Sequence, residues 1–207
     1  NVNDMAKGYD YYSLGGLNVS MDNKLVAFGT DTLSRRKYTI RIKNLETGEI
    51  YSEEIKNTTG SSTWANDNKT LFYTKKDPQT LRSYRIYKHI LGTDPSEDQL
   101  VYEENDDTFN TYVYKSKSRQ YIIIGSHSTL TTEYRFLDAD RPEEQFQVFQ
   151  PRERGLEYSI SHYGDHFYVV TNKDKATNFK LMKTPVTATS QENWEDVIPH
   201  RDDYLLE

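Results

Sequence analysis

One pattern is spelled out four times along these 207 residues. Each copy has an apolar residue, a small or polar turn containing Asp or Gly, an aromatic or aliphatic strand, a loop, and a second alternating strand. The strand after the turn is anchored by Leu25, Leu71, Tyr121 and Phe167, whose spacings are 46, 50 and 46. The copies run from Val19 to Phe28, from Trp64 to Tyr73, from Val113 to Ile124 and from Tyr158 to Val170. A period in the forties with several short strands per unit points to a β-propeller, because each blade can bury its faces only against its neighbours. The expected fold is all-β: a partial β-propeller of about four consecutive four-stranded blades. The expected divisions are a lead-in segment over 1–13 and blades over 14–57, 58–104, 105–151 and 152–207. An open arc from a larger ring is expected, since the two ends show no sign of a shared closing blade.

Alternation supports the strand reading. In Lys37–Lys43, Tyr38, Ile40 and Ile42 fall on one face and Lys37, Thr39, Arg41 and Lys43 on the other, which is the period of a strand with one wet face. Asn44–Glu49 then reads as a hairpin turn with Gly48 at positive φ. Corresponding strands are expected at Tyr84–Ile90, Glu133–Leu137 and Asn178–Met182, with closing strands at Leu100–Tyr102, Phe146–Phe149 and Trp194–Ile198. Trp64 and Trp194 are expected in the core. No apolar stripe at helical spacing persists beyond a turn or two.

Only 35% of the residues are hydrophobic, yet there are 17 Tyr and 8 Phe, a balance suited to twisted, half-buried strands. The net charge of −6 argues against a nucleic-acid partner, which needs a basic stripe. No apolar run approaches the ~20 residues that span a bilayer, so no membrane partner is expected. Without cysteine, disulfide and thiolate chemistry are excluded; a cytoplasmic location is expected, with the periplasm also compatible. The start at Asn1 and the ending Tyr204-Leu205-Leu206-Glu207 suggest an excerpt cut within a folded region.

Catalytic motifs are missing. There is no Gly-x-Ser-x-Gly elbow, P-loop, dinucleotide fingerprint or His-Glu-x-x-His, and no metal or cofactor is expected. His162 and His166 flank Gly164-Asp165 and read as turn or surface histidines; His89, inside a strand, reads as a packing or hydrogen-bonding residue. Two charged groups stand out. Arg35-Arg36-Lys37 is either a solvated loop or a docking point for a carboxylate, which Arg grips in a bidentate pair. Glu103, Glu104, Asp106 and Asp107 form an acidic cluster, either solvent-facing or able to attract a basic peptide.

Several stretches, taken together, resemble the propeller of the oligopeptidase B group in the prolyl oligopeptidase family of serine peptidases. They include Tyr11–Gly16, Asp31–Tyr38, Asn44–Gly48, Trp64–Asp67, Tyr87–Thr93, Tyr102–Thr108, Glu157–Ser159, Thr171-Asn172 with Asn178-Phe179, and Ile198–Arg201. The resemblance runs nearly end to end in order and spacing. It implies a seven-bladed propeller joined, in the same polypeptide, to a C-terminal α/β-hydrolase domain that holds the Ser-His-Asp triad and is absent from this chain. The parent would cleave short peptides after Lys or Arg, with the propeller as a non-catalytic gate that selects substrates by size. No catalytic residue carries over. Arg36, with Arg35 beside it, matches a paired-Arg loop placed to meet the hydrolase domain, and Asp10 matches an acidic position able to share that Arg. The rival is a free-standing propeller acting as a protein-interaction module. An excised arc would also expose blade faces and is expected to self-associate through them.

Overall fold

The alternating segments become strands, and the turns between them become hairpins. A computed structural model describes residues 1–206; Glu207, the last residue of the unit expected over 152–207, lies outside the described residues. One helical turn, α1 (Val2–Met5), leads into the strands β1 (Ser13–Val19), β2 (Leu25–Asp31), β3 (Tyr38–Asn44), β4 (Ile55–Trp64), β5 (Thr70–Lys76), β6 (Ser83–Ile90), β7 (Gln99–Glu103), β8 (Asn110–Lys115), β9 (Tyr121–His127), β10 (Thr132–Asp138), β11 (Gln147–Val148), β12 (Tyr158–Tyr163), β13 (His166–Thr171), β14 (Lys180–Pro185) and β15 (Glu195–Ile198). All four repeat anchors sit at the start of a second strand: Leu25 in β2, Leu71 in β5, Tyr121 in β9 and Phe167 in β13.

The strands form three antiparallel sheets, ordered β1 to β7, β11-β10-β9-β8 and β12-β13-β14-β15. The first two repeats share the seven-stranded sheet because β4 serves both. Ile55 and Thr58 oppose Ile40 and Tyr38 of β3, while Ser62, Thr63 and Trp64 oppose Tyr73, Phe72 and Leu71 of β5. The register breaks between Thr58 and Ser62, where Gly60 takes φ 89. The boundary expected after position 57 therefore falls inside a strand. Asn57 at φ 60 and Gly60 bend the chain within residues 57–62, yet β4 runs on as one strand through the bend, so the chain changes repeats without leaving the ladder. That crossing brings backbones together: a Cβ on Gly29 would lie 2.5 Å from the Cα of Gly60, and one on Gly16 would collide with the Gly60 carbonyl oxygen. Glycine is required at these contacts.

Three cores fill the seams between successive repeats. The first is mainly aliphatic, built on Leu25, Ala27, Ile40, Ile42, Ile55 and Leu71 with Trp64 and Tyr73. The second holds Phe72, Ile86, Val113, Ile122, Ile124 and Leu137. The third is aromatic, with Tyr134, Phe136, Phe149, Tyr158, Phe167 and Trp194 around Ile123 and Val169. The Ile122-Ile123-Ile124 run is buried throughout because β9 lies between two seams: its alternate side chains enter the second and third cores, as expected for a strand covered on both faces. Both tryptophans are buried, and each indole N–H has a carbonyl partner, Asn18 O for Trp64 and Thr189 O for Trp194. Gly48 turns the Asn44–Glu49 hairpin at φ 78. β11 is only two residues long, shorter than the Phe146–Phe149 strand expected. Its flanking phenylalanines are drawn to opposite seams: Phe146 packs edge-on to Phe72, whereas Phe149 lies in the third core.

Candidate functional site: one rim of the blades

In an antiparallel meander, alternate connections lie at the same end. Counting from β1, with β4 doubling back at Gly60 so that its two halves run in opposite directions, one rim gathers the β2–β3 loop, the β5–β6 loop, the β7–β8 crossover, the β9–β10 loop, the β11–β12 crossover and the β13–β14 loop. Lys76 at the end of β5 reaches the Arg36 carbonyl there. Asp10 precedes β1 at this end. Asp10, Arg35, Arg36 and the acidic cluster therefore share one rim, although they are as far apart in sequence as Asp10 and Asp107.

The arginine loop has a pinned backbone and free side chains. The buried Asp31 carboxylate accepts the Leu33 N–H (2.9 Å) and the Arg36 N–H (2.8 Å). Ser34 and Arg36 take positive φ of 56 and 55, and the Arg36 carbonyl accepts Lys76 Nζ at 2.8 Å. The ammonium of Lys76 is held below its ordinary pKa by burial and then by the Arg36 charge, with Asp31 opposing. The Arg35 and Arg36 side chains are exposed, and among the described residues neither forms an ion pair. Several other arginines do: Arg41 with Glu54, Arg85 with Glu103, Arg135 with Glu133, and Arg152 with Glu104. Asp10 is exposed as well and makes no ion pair with Arg35 or Arg36. At the same rim, Leu33 is 75% and Leu130 63% exposed. These apolar loop tips had a readable signal, an isolated Leu in each of two equivalent β–β loops.

The four acids 103–107 do not act as one patch. Glu103 is paired with Arg85 at 2.7 Å. Glu104 is buried: it accepts Arg152 Nη2 at 2.6 Å, the Tyr102 hydroxyl at 2.7 Å and the Asp106 N–H at 3.0 Å. Burial pushes its carboxyl up, but Arg152, Tyr102 and the Asp106 amide outweigh that, leaving it below an ordinary glutamate. Asp106 caps its own turn by accepting from Thr108 N and Oγ1, and only Asp107 is exposed with no side-chain partner of this kind. Two cations missed in the sequence organise this corner. Arg82 donates to the carbonyls of Glu104, Asp106 and Phe109. Arg152, from the β11–β12 crossover, stacks 3.6 Å over Phe109 and also lies 3.5 Å from Glu133. The clasp thus ties a connection of the second repeat to the third and fourth.

The histidines require a correction. His162 is a buried residue of β12, with Nδ1 2.8 Å from Ser118 Oγ and its ring against Tyr121 and Phe167. The hairpin is tighter than expected: Tyr163 pairs with His166, so only Gly164 and Asp165 form the turn, with Gly164 at φ 60. Burial lowers the His162 pKa, opposed by the Gly164 backbone and the Asp165 charge. His89, in β6, is buried with Nδ1 2.7 Å from Asp98, which also accepts the Tyr73 hydroxyl at 2.7 Å. This is the packing and hydrogen-bonding role expected. Among the described residues no group of three or more His, Asp or Glu is placed to hold a metal, and no helix is long and apolar enough to cross a membrane.

Comparison with known proteins agrees with this architecture. The chain is 45% identical over 206 residues to dipeptidyl aminopeptidase BI of Pseudoxanthomonas mexicana, covering all of this chain but 28% of that protein. It is 31% identical to Protease 2 of Moraxella lacunata, covering 99% of this chain and 31% of that one. Oligopeptidase B from Leishmania major superposes with a TM-score of 0.94 at 30% identity, over 100% of this chain and 29% of that structure. The chain thus spans less than a third of the length of these relatives, and the remainder of each lies outside the match. Residues 1–207 match the prolyl oligopeptidase N-terminal β-propeller domain family, and the chain belongs to that family of serine-peptidase propellers.

Proposed function

We propose that this chain forms four blades of a seven-bladed propeller that gates a C-terminal α/β-hydrolase domain in the same polypeptide, and that the rim described above faces that domain. The observation that carries the reading is the rim itself. Arg35 and Arg36 stand exposed and without an ion pair on a pinned loop next to exposed Leu33, and Leu130 is exposed at the tip of the β9–β10 loop on the same rim. Exposed apolar loop tips on the same rim as uncommitted guanidinium groups suit a partner that presents carboxylates. Ion pairs made there would form on closure and break on opening, coupling substrate admission to domain motion. The propeller supplies size selection, and the triad supplies acyl transfer.

Two substrate readings follow from the relatives. Protease 2 and oligopeptidase B support an endopeptidase acting on short basic peptides after Lys or Arg. The 45% match to a protein named dipeptidyl aminopeptidase favours release of dipeptides from free amino ends. The full-length protein separates them: an amino-blocked peptide cleaved after Arg supports the first, and cleavage that requires a free amino group two residues away supports the second. Arg36→Ala in that protein is expected to reduce turnover and relax the substrate-size limit, while a fluorophosphonate still labels the nucleophile. An unchanged rate and size limit would overturn the gating role of Arg36. A natural protein near 24.3 kDa, unlabelled by the probe, would instead favour a free-standing interaction module.

On the same reading, neighbouring blades cover the two outer faces. Leu17 and Val19 are exposed on the first, Tyr163 and Ile198 on the last. The isolated 207-residue piece would then self-associate through them. Sedimentation showing a monomer at high concentration counts against this.

A further inference from the structure

The opposite rim carries a small charged pocket that the gating role does not use. It lies between the ends of β1, β4 and β8, the innermost strand of each of the first three repeats, and is lined by Asn18, Ser20, Trp64, Lys115 and Arg119 with a volume of about 170 Å3. On the seven-bladed reading proposed above, its position is axial, at the mouth of the channel that the inner strands would surround. Lys115 ends β8, and Arg119 sits in the following turn at φ 64.

The two cations share this small space without an anion. Lys115 Nζ donates to Asn66 Oδ1 at 2.7 Å, and the Asn66 amide donates to the Arg119 carbonyl (3.2 Å) and Asp140 Oδ1 (2.8 Å). Asn66 thereby fixes both the ammonium and the arginine turn. The nearby carboxylates are engaged elsewhere: Asp67 accepts from Lys69 N, Thr70 N and Thr70 Oγ1, and Asp140 holds Asn66. Among the described residues neither comes within ion-pair distance of Lys115 or Arg119. Two like charges converging in a half-buried site are unfavourable until an anion joins them. The Lys115 ammonium shows this strain, pushed down to about 8 by burial and then by Arg119, with Asp140 and Asp67 only partly compensating.

We propose that this axial pocket is an oxyanion site, with Lys115 and Arg119 as its cations and the Asn18 and Ser20 region as its polar wall, taking a carboxylate such as a peptide C-terminus, or a free phosphate. Of the two sources, a peptide end fits a channel mouth, where it would be held by its charge before passing inward.

The test is site-resolved labelling of the full-length protein with a limiting amine-acylating reagent at neutral pH, read by peptide mapping at Lys115. An anion seated beside Lys115 raises its pKa, and a rise of one unit cuts the reactive amine, and so the labelling rate, about tenfold. Selective protection of Lys115 by a short peptide acid, but not by the matching C-terminal amide, assigns the site to peptide ends. Protection by inorganic phosphate at the same or lower concentration assigns it to free oxyanions. Arg119→Ala should abolish protection and Arg119→Lys should retain it; Arg119 is exposed, so neither threatens the fold. Labelling of Lys115 that no anion alters, or protection that survives Arg119→Ala, overturns the proposal, as does a Lys115 that does not react at all.

Discussion

The first and third seams solve the same packing problem in different ways. At the first, backbones approach directly: Gly16, Gly29 and Gly60 meet where β4 crosses between repeats, and aliphatic side chains fill the remaining space. At the third, two separate sheets are held apart by large rings. Phe167 touches Tyr121, Phe136 and Phe149 at centroid distances of 5.2 Å each, while the Glu104–Arg152 pair clasps the rim. A continuous ladder needs little side-chain volume to keep two blades in register. Two separate sheets share no ladder beyond the Thr132 N–H to Leu156 carbonyl bond and the Thr132 hydroxyl bonds to Tyr158, so they are positioned mainly by side chains, and interlocking aromatics do that. Damage to one seam should therefore be local in kind as well as in place.

The largest effect is expected at the third seam. Phe167→Ala removes a fully buried ring and should cost about 3–5 kcal/mol. Hydrogen exchange should show β9, β10 and β12–β14 losing protection before β2 and β5; uniform loss across all three sheets would mean that the seams unfold as one unit. Next is Arg152→Met, which leaves the Glu104 carboxylate buried without its cation and should cost about 3 kcal/mol. Because the folded Glu104 pKa lies below the ordinary 4.5, its contribution is present above that value and is lost as pH falls through the folded pKa. Glu104→Gln should accordingly flatten the acid limb of a stability–pH curve below 4.5 and leave the neutral slope alone. A limb of unchanged steepness would show that the pair adds nothing to acid sensitivity.

Gly29→Ala tests the first seam. The added methyl meets backbone rather than a flexible side chain, so overpacking of about 1–3 kcal/mol is expected, with exchange protection lost first in β2, β4 and β5. If the change is neutral, the close backbone approach is not what registers these blades. The smallest effect concerns His162, whose ring resonance should titrate below 6.5. With a depressed folded pKa, its neutral form supports the fold above the ordinary value and this support fades on acidification; titration at or above 6.5 would contradict its burial.

Much of this was legible in the primary structure. Alternation at Tyr38–Ile42 gave a strand and its buried face, the 46–50-residue anchor spacing gave the repeat, and Gly48 marked its turn. The crossing inside β4 was not legible, because residues 57–62 read locally as a loop between two units, while pairing with β3 on one side and β5 on the other keeps them in the sheet. The rim residues were found as sequence clusters, but their relationships were not. Glu103, Glu104, Asp106 and Asp107 look equivalent on paper; Glu104 differs because Arg152, 48 residues away, reaches into the same corner. His162 was misplaced because two-residue and four-residue turns around Gly164-Asp165 have the same local composition, and the choice is made by the partner strand.

The sequence by itself determined the strand periods, the repeat, the turn chemistry and the family, since all of these depend on neighbours within a few residues or on a period along the chain. Tertiary structure alone decided which charges are cancelled and which stay free. Arg36 and Arg152 are both arginines in connecting segments of the same rim, yet one is exposed and unpaired and the other is locked to Glu104. Coulomb energy and desolvation depend on distance and burial in three dimensions, and the blades set both by bringing segments dozens of residues apart to a single edge.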